Sequence, residues 1–436
     1  MKEKSTGISA GFNIHSKDSK MRRSLLWHKQ VSKTSEWFAF KGLFDSVTHS
    51  ASSAGTSGPA VQKLNNRLLS LDVLRGFDMF WITGGAYLIN TLAEVFNKKW
   101  LIVLNEQMQH VPWDGFHFLD LIFPLFMFIS GVAIPYSVKA GLAKNKSKRT
   151  ILTKAFRRMI VLVLLGLLYN GVFREGFTNA RYVSVLAQIG ISYFFASLII
   201  INSGSFKTIL FWVSGILAGI TCLQLFVPVP GIGAGILTPE GCMNGYIDRL
   251  LLPGRLAYGH EGMLASGNGI YDALGILCIV SATGITLMGA IAGYILQSKS
   301  VTEYRKTIIL TATGITLIVI ALLLLPYYPV IKNCWTTTFN LLTGGISFIL
   351  LSLFYFVIDV CHIQKWSFYF KVIGMNSIFI YLLVRIIPVR DVTGMFIGWM
   401  AKLMGEPGTI ITAIGSLIGV WLLLYFMFKK NIFIKV

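Results

Sequence analysis

The feature that most constrains this chain is the length of its charge-free runs. Residues 182–206, 273–298, 307–331, 333–358 and 407–428 contain no Asp, Glu, Lys or Arg. Each reaches or exceeds the roughly 20 residues that a helix needs to cross a hydrocarbon core ~30 Å thick. Closed barrels are the other way to span a bilayer, but they read as short alternating segments of about 10 residues. Unbroken apolar stretches such as Leu317–Leu325 are not of that kind. Apolar residues make up 54% of the 436 positions and charged residues 13%, about half the charge of a soluble domain. The expected fold class is an all-α integral membrane protein.

Ten transmembrane helices are expected, over 70–92, 116–138, 153–173, 183–203, 207–228, 273–296, 307–326, 336–358, 366–386 and 408–428. The apolar piece 392–404 is too short to cross and reads as an interfacial helix. The net charge of +20 comes from Lys and Arg gathered in short loops, where they set topology and meet anionic headgroups. No nucleic-acid module and no metal-ligand cluster accompanies them. Residues 139–158 hold Lys139, Lys144, Lys146, Lys148, Arg149, Lys154, Arg157 and Arg158 with no acid, so that loop is expected in the cytoplasm. Alternation then puts both termini in the cytoplasm and leaves 93–115, 174–182, 229–272, 327–335 and 387–407 outside.

Residues 1–66 are polar and lack the apolar core of a cleavable leader. They read as a cytoplasmic tail, disordered or, over 24–44, lying along the interface through Trp27, Trp37, Phe38, Phe40 and Phe44. Residues 67–436 form the membrane domain, with 229–272 as its long outer segment. Of the five cysteines, Cys242 and Cys334 fall in outer loops, which permits a disulfide without establishing one.

Ionisable groups inside spans are costly unless paired or wet, so each is a functional candidate. Asp72, Arg75 and Asp78 open the first helix. Asp72 and Arg75 sit on adjoining turns, either as a self-neutralising anchor or as a grip on an anionic ligand drawn from the cytoplasm. His110, Trp113, Asp114, His117 and Asp120 crowd into eleven residues beside the second span. An imidazole titrates near neutrality and a neighbouring carboxylate can fix its tautomer; a His beside a Trp also serves as an interfacial anchor. Asp248, Arg249, Arg255, His260 and Glu261 in the outer segment line a substrate mouth or solvate an ordinary loop. Gln188 and Asn376 are polar residues inside spans, for which interhelical hydrogen bonding is the default.

The runs SLDVLRG and HVPWDGFHFLDLIFPLFMFISG, followed by RYVSVLAQIGISY, YIDRLLLPGRL, YGHEGML, PVIKNCWTTTF and GMNSIFIY, resemble the heparan-α-glucosaminide N-acetyltransferase family and its bacterial relatives. The likeness covers roughly 67–436. It implies a multi-pass acyltransferase of a bacterial inner membrane that takes acetyl from cytosolic acetyl-CoA, as co-substrate, and passes it to the amine of a glucosamine-type acceptor outside. The family's active histidine falls on His110, with Asp114 or Asp120 to orient it. Trp113, Asp248, His260, Glu261 and Asn376 then become candidate acceptor contacts, and Asp72 and Arg75 candidate donor contacts, with the basic 139–158 loop near the phosphates. Where the family has Y-D-P-E-G this chain has Tyr258-Gly259-His260-Glu261-Gly262, a change that bears on the acceptor. His110 acts either as a general base or as an acetylated intermediate, and the base route needs one fewer unstable species. Two other readings stay open: an amino-sugar permease, and an O-acetyltransferase acting on a cell-envelope glycan. Assembly as a homodimer is also left open.

Overall fold

A computed structural model describes residues 68–434, apart from 204, 261–263 and 266. The tail over 1–66 and Glu261 therefore lie outside the described residues. Among the described residues no strand forms, only isolated backbone bridges such as Asp114 with Ile331 and Arg181 with Gly254. The chain is a helical membrane protein.

The first helix, α1 (Leu69–Phe80), runs through a π-turn at Trp81–Gly85 into α2 (Ala86–Phe96). A short outer helix α3 (Lys99–Gln107) follows, then α4 (Phe118–Leu142), α5 (Lys148–Tyr169), α6 (Val185–Asn202) and α7 (Phe206–Leu225). The outer segment contains α8 (Met243–Leu251). Beyond it come α9 (Ile276–Gln297), α10 (Glu303–Leu324), α11 (Thr337–Tyr355), α12 (Phe368–Gly374), α13 (Ser377–Ile386), α14 (Val389–Met404) and α15 (Gly408–Lys429).

Among the described residues, seven helices are long and apolar enough to cross a membrane: α4, α6, α7, α9, α10, α11 with its π-turn to Val360, and α15. The segment 365–386 makes an eighth if its two halves, bent by 63°, count as one span. The other two expected spans are helical but more polar. Asp72, Arg75 and Asp78 interrupt α1, while Lys148, Arg149, Lys154, Arg157 and Arg158 load the first half of α5. The expected interfacial piece forms α14, which has no buried residue and exposes Met395, Phe396, Trp399 and Leu403.

The core is built on α4 and α9, which pack along most of their lengths. Their approach is set by glycine. A Cβ on Gly131 would lie 1.9 Å from the Thr286 carbonyl oxygen, and one on Gly289 would lie 2.0 Å from that of Phe128. Without water to drive helices together, such close backbone contact supplies dispersion attraction instead. Around this pair, Phe128, Phe339 and Phe348 are fully buried. In contrast α10 buries only Lys306, Leu310, Gly314 and Ala321 and turns Leu322, Leu323 and Leu324 outward, as a lipid-facing helix does.

Candidate active site

The N-terminal turn of α4 carries the centre of the site. Asp120 sits in that first turn, only 1% exposed at its side chain. Its Oδ2 accepts from the backbone N–H groups of His117 at 3.1 Å and Val111 at 3.4 Å. Its Oδ1 lies 2.8 Å from His110 Nδ1 and 3.0 Å from Lys332 Nζ. A carboxylate at a helix N-terminus also gains from the helix dipole. The motif around residue 110 therefore folds back on its own helix start, and Asp120 is the residue that holds it there.

His110 remains 56% exposed. Nδ1 is engaged by Asp120, and Nε2 lies 3.4 Å from Lys332 Nζ. Lys332 reaches the same point from the loop before α11, its Nζ 2.8 Å from His110 Nδ1. Burial draws the Lys332 ammonium below its usual range, and Asp120 offsets this only in part. Asn333, the next residue, donates to the Pro112 carbonyl at 3.1 Å and ties that loop to the histidine segment.

Below His110 opens a cavity of ≈ 760 Å³. His110, Lys332, Asn333, Arg181 and Tyr258 line its polar mouth, and Trp81, Phe123, Phe126, Ile189 and Trp335 its apolar interior. The π-turn between α1 and α2 brings Trp81 and Ile82 to the wall, and the bend between α12 and α13 brings Ser377, Ile378 and Tyr381. Such breaks are tolerated at membrane depth where they line a cavity.

Arg181 is clamped by Asp272 through two bonds, Nε to Oδ2 at 2.7 Å and Nη2 to Oδ1 at 2.6 Å. Burial pulls the guanidinium down, but the Asp272 carboxylate outweighs it and holds Arg181 above its ordinary value. Asp248 supports this clamp from behind. Its Oδ2 accepts the Asp272 N–H at 3.2 Å and its Oδ1 the Ile276 N–H at 3.0 Å, fixing the start of α9. Burial, partly opposed by those two bonds, pushes Asp248 up to about 7. Gly275 is required beside it, since a Cβ there would sit 2.1 Å from Oδ2.

The sequence candidates thus separate. His110 and Asp120 meet. Asp114 is exposed, pairs through its backbone with Ile331, and has no side-chain hydrogen bond among the described residues. Trp113 donates Nε1–H to the Leu237 carbonyl at 2.6 Å and meets Tyr271 edge-on at 5.2 Å, so it clasps the outer segment rather than lining the cavity. Asp248 is likewise a support. His260 pairs with Glu240 at 3.0 Å on the surface. Asn376 holds the C-terminal segment, with Nδ2 to the Ile432 carbonyl at 3.1 Å and Oδ1 from the Ile434 N–H at 3.0 Å. Asp72 and Arg75 pair at 3.5 Å on α1, and neither lines a described cavity. Cys242 and Cys334 are buried, free thiols in one small apolar cluster.

Sequence reading passed over Lys332, Arg181 and Asp272. Lys332 had a signal: it is the only charged residue between Lys306 and Asp359.

At the other end of α4 a second hollow of ≈ 430 Å³ is lined by Lys144, Lys146, Lys154 and Arg158, together with Tyr193 and Ser197. Among the described residues no carboxylate lines it. Lys154 beside Lys146 holds that ammonium below its usual range, and the buried Nε of Arg158 has no hydrogen-bond partner among the described residues.

No family model matches the chain. Two curated relatives do. The heparan-alpha-glucosaminide N-acetyltransferase of Mus musculus is 27% identical over 422 residues, covering 85% of this chain and 61% of the relative. That of Homo sapiens is 27% identical over 382 residues, covering 75% and 54%. The chain therefore spans less than two thirds of either relative. It is a distant relative of the heparan-alpha-glucosaminide N-acetyltransferases.

Proposed function

We propose that this protein is a transmembrane N-acetyltransferase, of a bacterial inner membrane, that moves acetyl from cytosolic acetyl-CoA to the amine of a glucosamine-type sugar on the outer side. The observation that carries the reading is His110, oriented by a buried carboxylate, at the polar mouth of a cavity large enough for a substrate arm. His110 acts as general base: Nε2 removes a proton from the amine as it attacks the thioester carbonyl. Asp120, bonded to Nδ1, keeps the ring turned for that task. Trp81, Phe123 and Phe126 exclude water from the thioester, limiting its hydrolysis.

The donor's chemistry fits the residues present. The acetyl thioester and the methylenes beside it are apolar and suit the interior of the upper cavity, while the two amides of the pantetheine arm need polar partners along the way. The phosphates need cations, and Lys144, Lys146, Lys154 and Arg158 supply them without a competing acid. Both hollows are lined by α4 and α6. From Phe126 to Ile134, the nearest lining residues on α4, the rise is about 12 Å, within reach of a thin flexible arm. The basic loop faces the cytoplasm in this reading and the mouth at His110 faces outward.

Release of free CoA thiol from acetyl-CoA on addition of glucosamine, by purified protein in detergent, tests the assignment. The expected result is glucosamine-dependent release by the wild type and a loss of at least about 10²-fold in His110→Ala. Near wild-type release by that variant would remove His110 from the chemistry. Uptake of labelled amino sugar into sealed proteoliposomes, with no thiol released in the detergent assay, would favour the permease.

A further inference from the structure

The two halves of the bent span at 365–386 are held very differently. The first half, α12, is pressed onto α1. A Cβ on Gly374 would lie 2.0 Å from the Asp72 carbonyl oxygen, and one on Gly76 would lie 1.8 Å from that of Phe370. The second half, α13, buries only Ser377 and Ile380. Yet α13 brings Ser377, Ile378 and Tyr381 to the wall of the upper cavity. Close packing fixes α12, and the direction of α13 depends on what holds the bend.

Asn376 stands at that bend, immediately before α13. An asparagine there ordinarily caps the helix by accepting from a backbone N–H of the first turn. Asn376 makes no such bond. It is buried, and its amide is turned to the C-terminal segment instead. Nδ2–H donates to the Ile432 carbonyl at 3.1 Å, and Oδ1 accepts the Ile434 N–H at 3.0 Å. One side-chain amide thus engages two backbone groups, on either side of Phe433. The end of α15 delivers the segment to this point. Asn431 takes a left-handed conformation at φ 54°, and the Ile432 N–H bonds back to the Met427 carbonyl at 2.8 Å, a pattern that turns a chain off its helix. Phe433 then packs edge-on against Phe428 at 6.4 Å.

We propose that Asn376 and residues 431–434 form a strap that positions α13, and through it the cavity wall that receives the acetyl thioester arm. The kinetic part of the inference rests on the acetyl-transfer reading. Asn376 is a positioning residue, acting through α13. Tyr381, one turn beyond Ser377, stacks on Tyr169 at 5.0 Å and 9°, and both rings line the cavity. A tilt of α13 about the bend would part this pair and loosen the wall. His110 and Asp120 are held by the start of α4 and by Lys332, so their geometry does not depend on the strap. Losing the strap therefore weakens substrate binding more than it slows the chemical step.

The test uses full-length Ile434→Pro, which deletes the N–H that Asn376 accepts, Asn376→Leu, which deletes both bonds, and the two combined. KM for acetyl-CoA is expected to rise about fivefold in the first and about tenfold in the second, with kcat within about threefold of wild type. The combined variant should be no worse than Asn376→Leu, because that change already removes both bonds. Ile434→Ala, which keeps the N–H, should move KM far less. Hydrogen exchange read by mass spectrometry is independent of activity. Exchange over 377–387 should quicken in Ile434→Pro and Asn376→Leu while that over α12 and α4 stays unchanged. Asn376→Asp, which keeps the acceptor and loses the donor, replaces Asn376→Leu if that variant does not fold. Wild-type KM and exchange in Ile434→Pro would overturn the proposal. So would an even rise in exchange across α12, α13 and α15, the mark of general loosening. If the wild type transfers no acetyl, the functional reading fails, while exchange over α13 still tests the strap.

Discussion

The two ends of α4 carry opposite electrostatic designs. At the N-terminal end the charges are matched and sheltered: Asp120 with Lys332, Asp272 with Arg181. At the C-terminal end Lys144, Lys146, Lys154 and Arg158 share a hollow with no acid among the described residues to balance them. The first arrangement fixes positions before a substrate arrives. The second is left with charge that a ligand would complete. Removing a charge should therefore damage the first end in rate and stability, and the second only in affinity.

The largest effect is expected from Asp120→Asn. It strips His110 of its orienting anion and leaves Lys332 without a counter-ion. CoA release should fall by about 10³-fold, with the KM values changed far less. Next in size is Asp272→Asn, which leaves the Arg181 guanidinium buried without its anion. Breaking such a pair costs about 3 kcal/mol, which thermal unfolding in detergent would register as a clear drop in Tm. If either variant behaved as wild type, the outer end would not be the preorganised half.

At the inner end, Lys154→Ala and Arg158→Ala should each raise KM for acetyl-CoA about tenfold, the weight of one charge-assisted hydrogen bond. Their kcat should stay unchanged, and Lys154→Ala should not lower Tm, because Lys146 and Lys154 already repel each other. A fall in Tm here, with KM unmoved, would collapse the contrast between the two ends.

The smallest effect is one of pH. Asp248 is pushed up to about 7 by burial, above its unfolded value. The folded state thus binds its proton more tightly, so its contribution to stability falls as pH rises from about 4 to about 7 and then levels off. Asp248→Asn loses an acceptor and should have a lower Tm. Its Tm should nevertheless slope less with pH than the wild type's over that window. A steeper slope would contradict the assignment.

Local pattern explains what was legible in the chain and what was not. Charge-free runs located the helices, and the piece expected over 392–404 forms a separate helix with no buried residue. His110 and Asp120 were recoverable because they share one loop and one helix turn, ten positions apart. Lys332 is 212 positions from its partner, and only its isolation between two apolar helices marked it. Trp113, Asp248 and Asn376 had the right chemistry for a substrate site but spend it on backbone groups of Leu237, Asp272, Ile276, Ile432 and Ile434. Which way a polar side chain faces is decided by the segments packed over it. Span number was blurred in α1, where three charges precede a break in the helix at Trp81–Gly85, and in α5, which is long but carries five basic residues in its first half.

The most direct test of transfer across the bilayer uses sealed proteoliposomes of known orientation. Labelled acetyl-CoA is supplied on the side of the basic 139–158 loop, and glucosamine is confined to the side of His110. The expected result is labelled N-acetylglucosamine in the compartment that never held acetyl-CoA, abolished in His110→Ala. Product formed only when both substrates share one side, or sugar crossing without being acetylated, would contradict it.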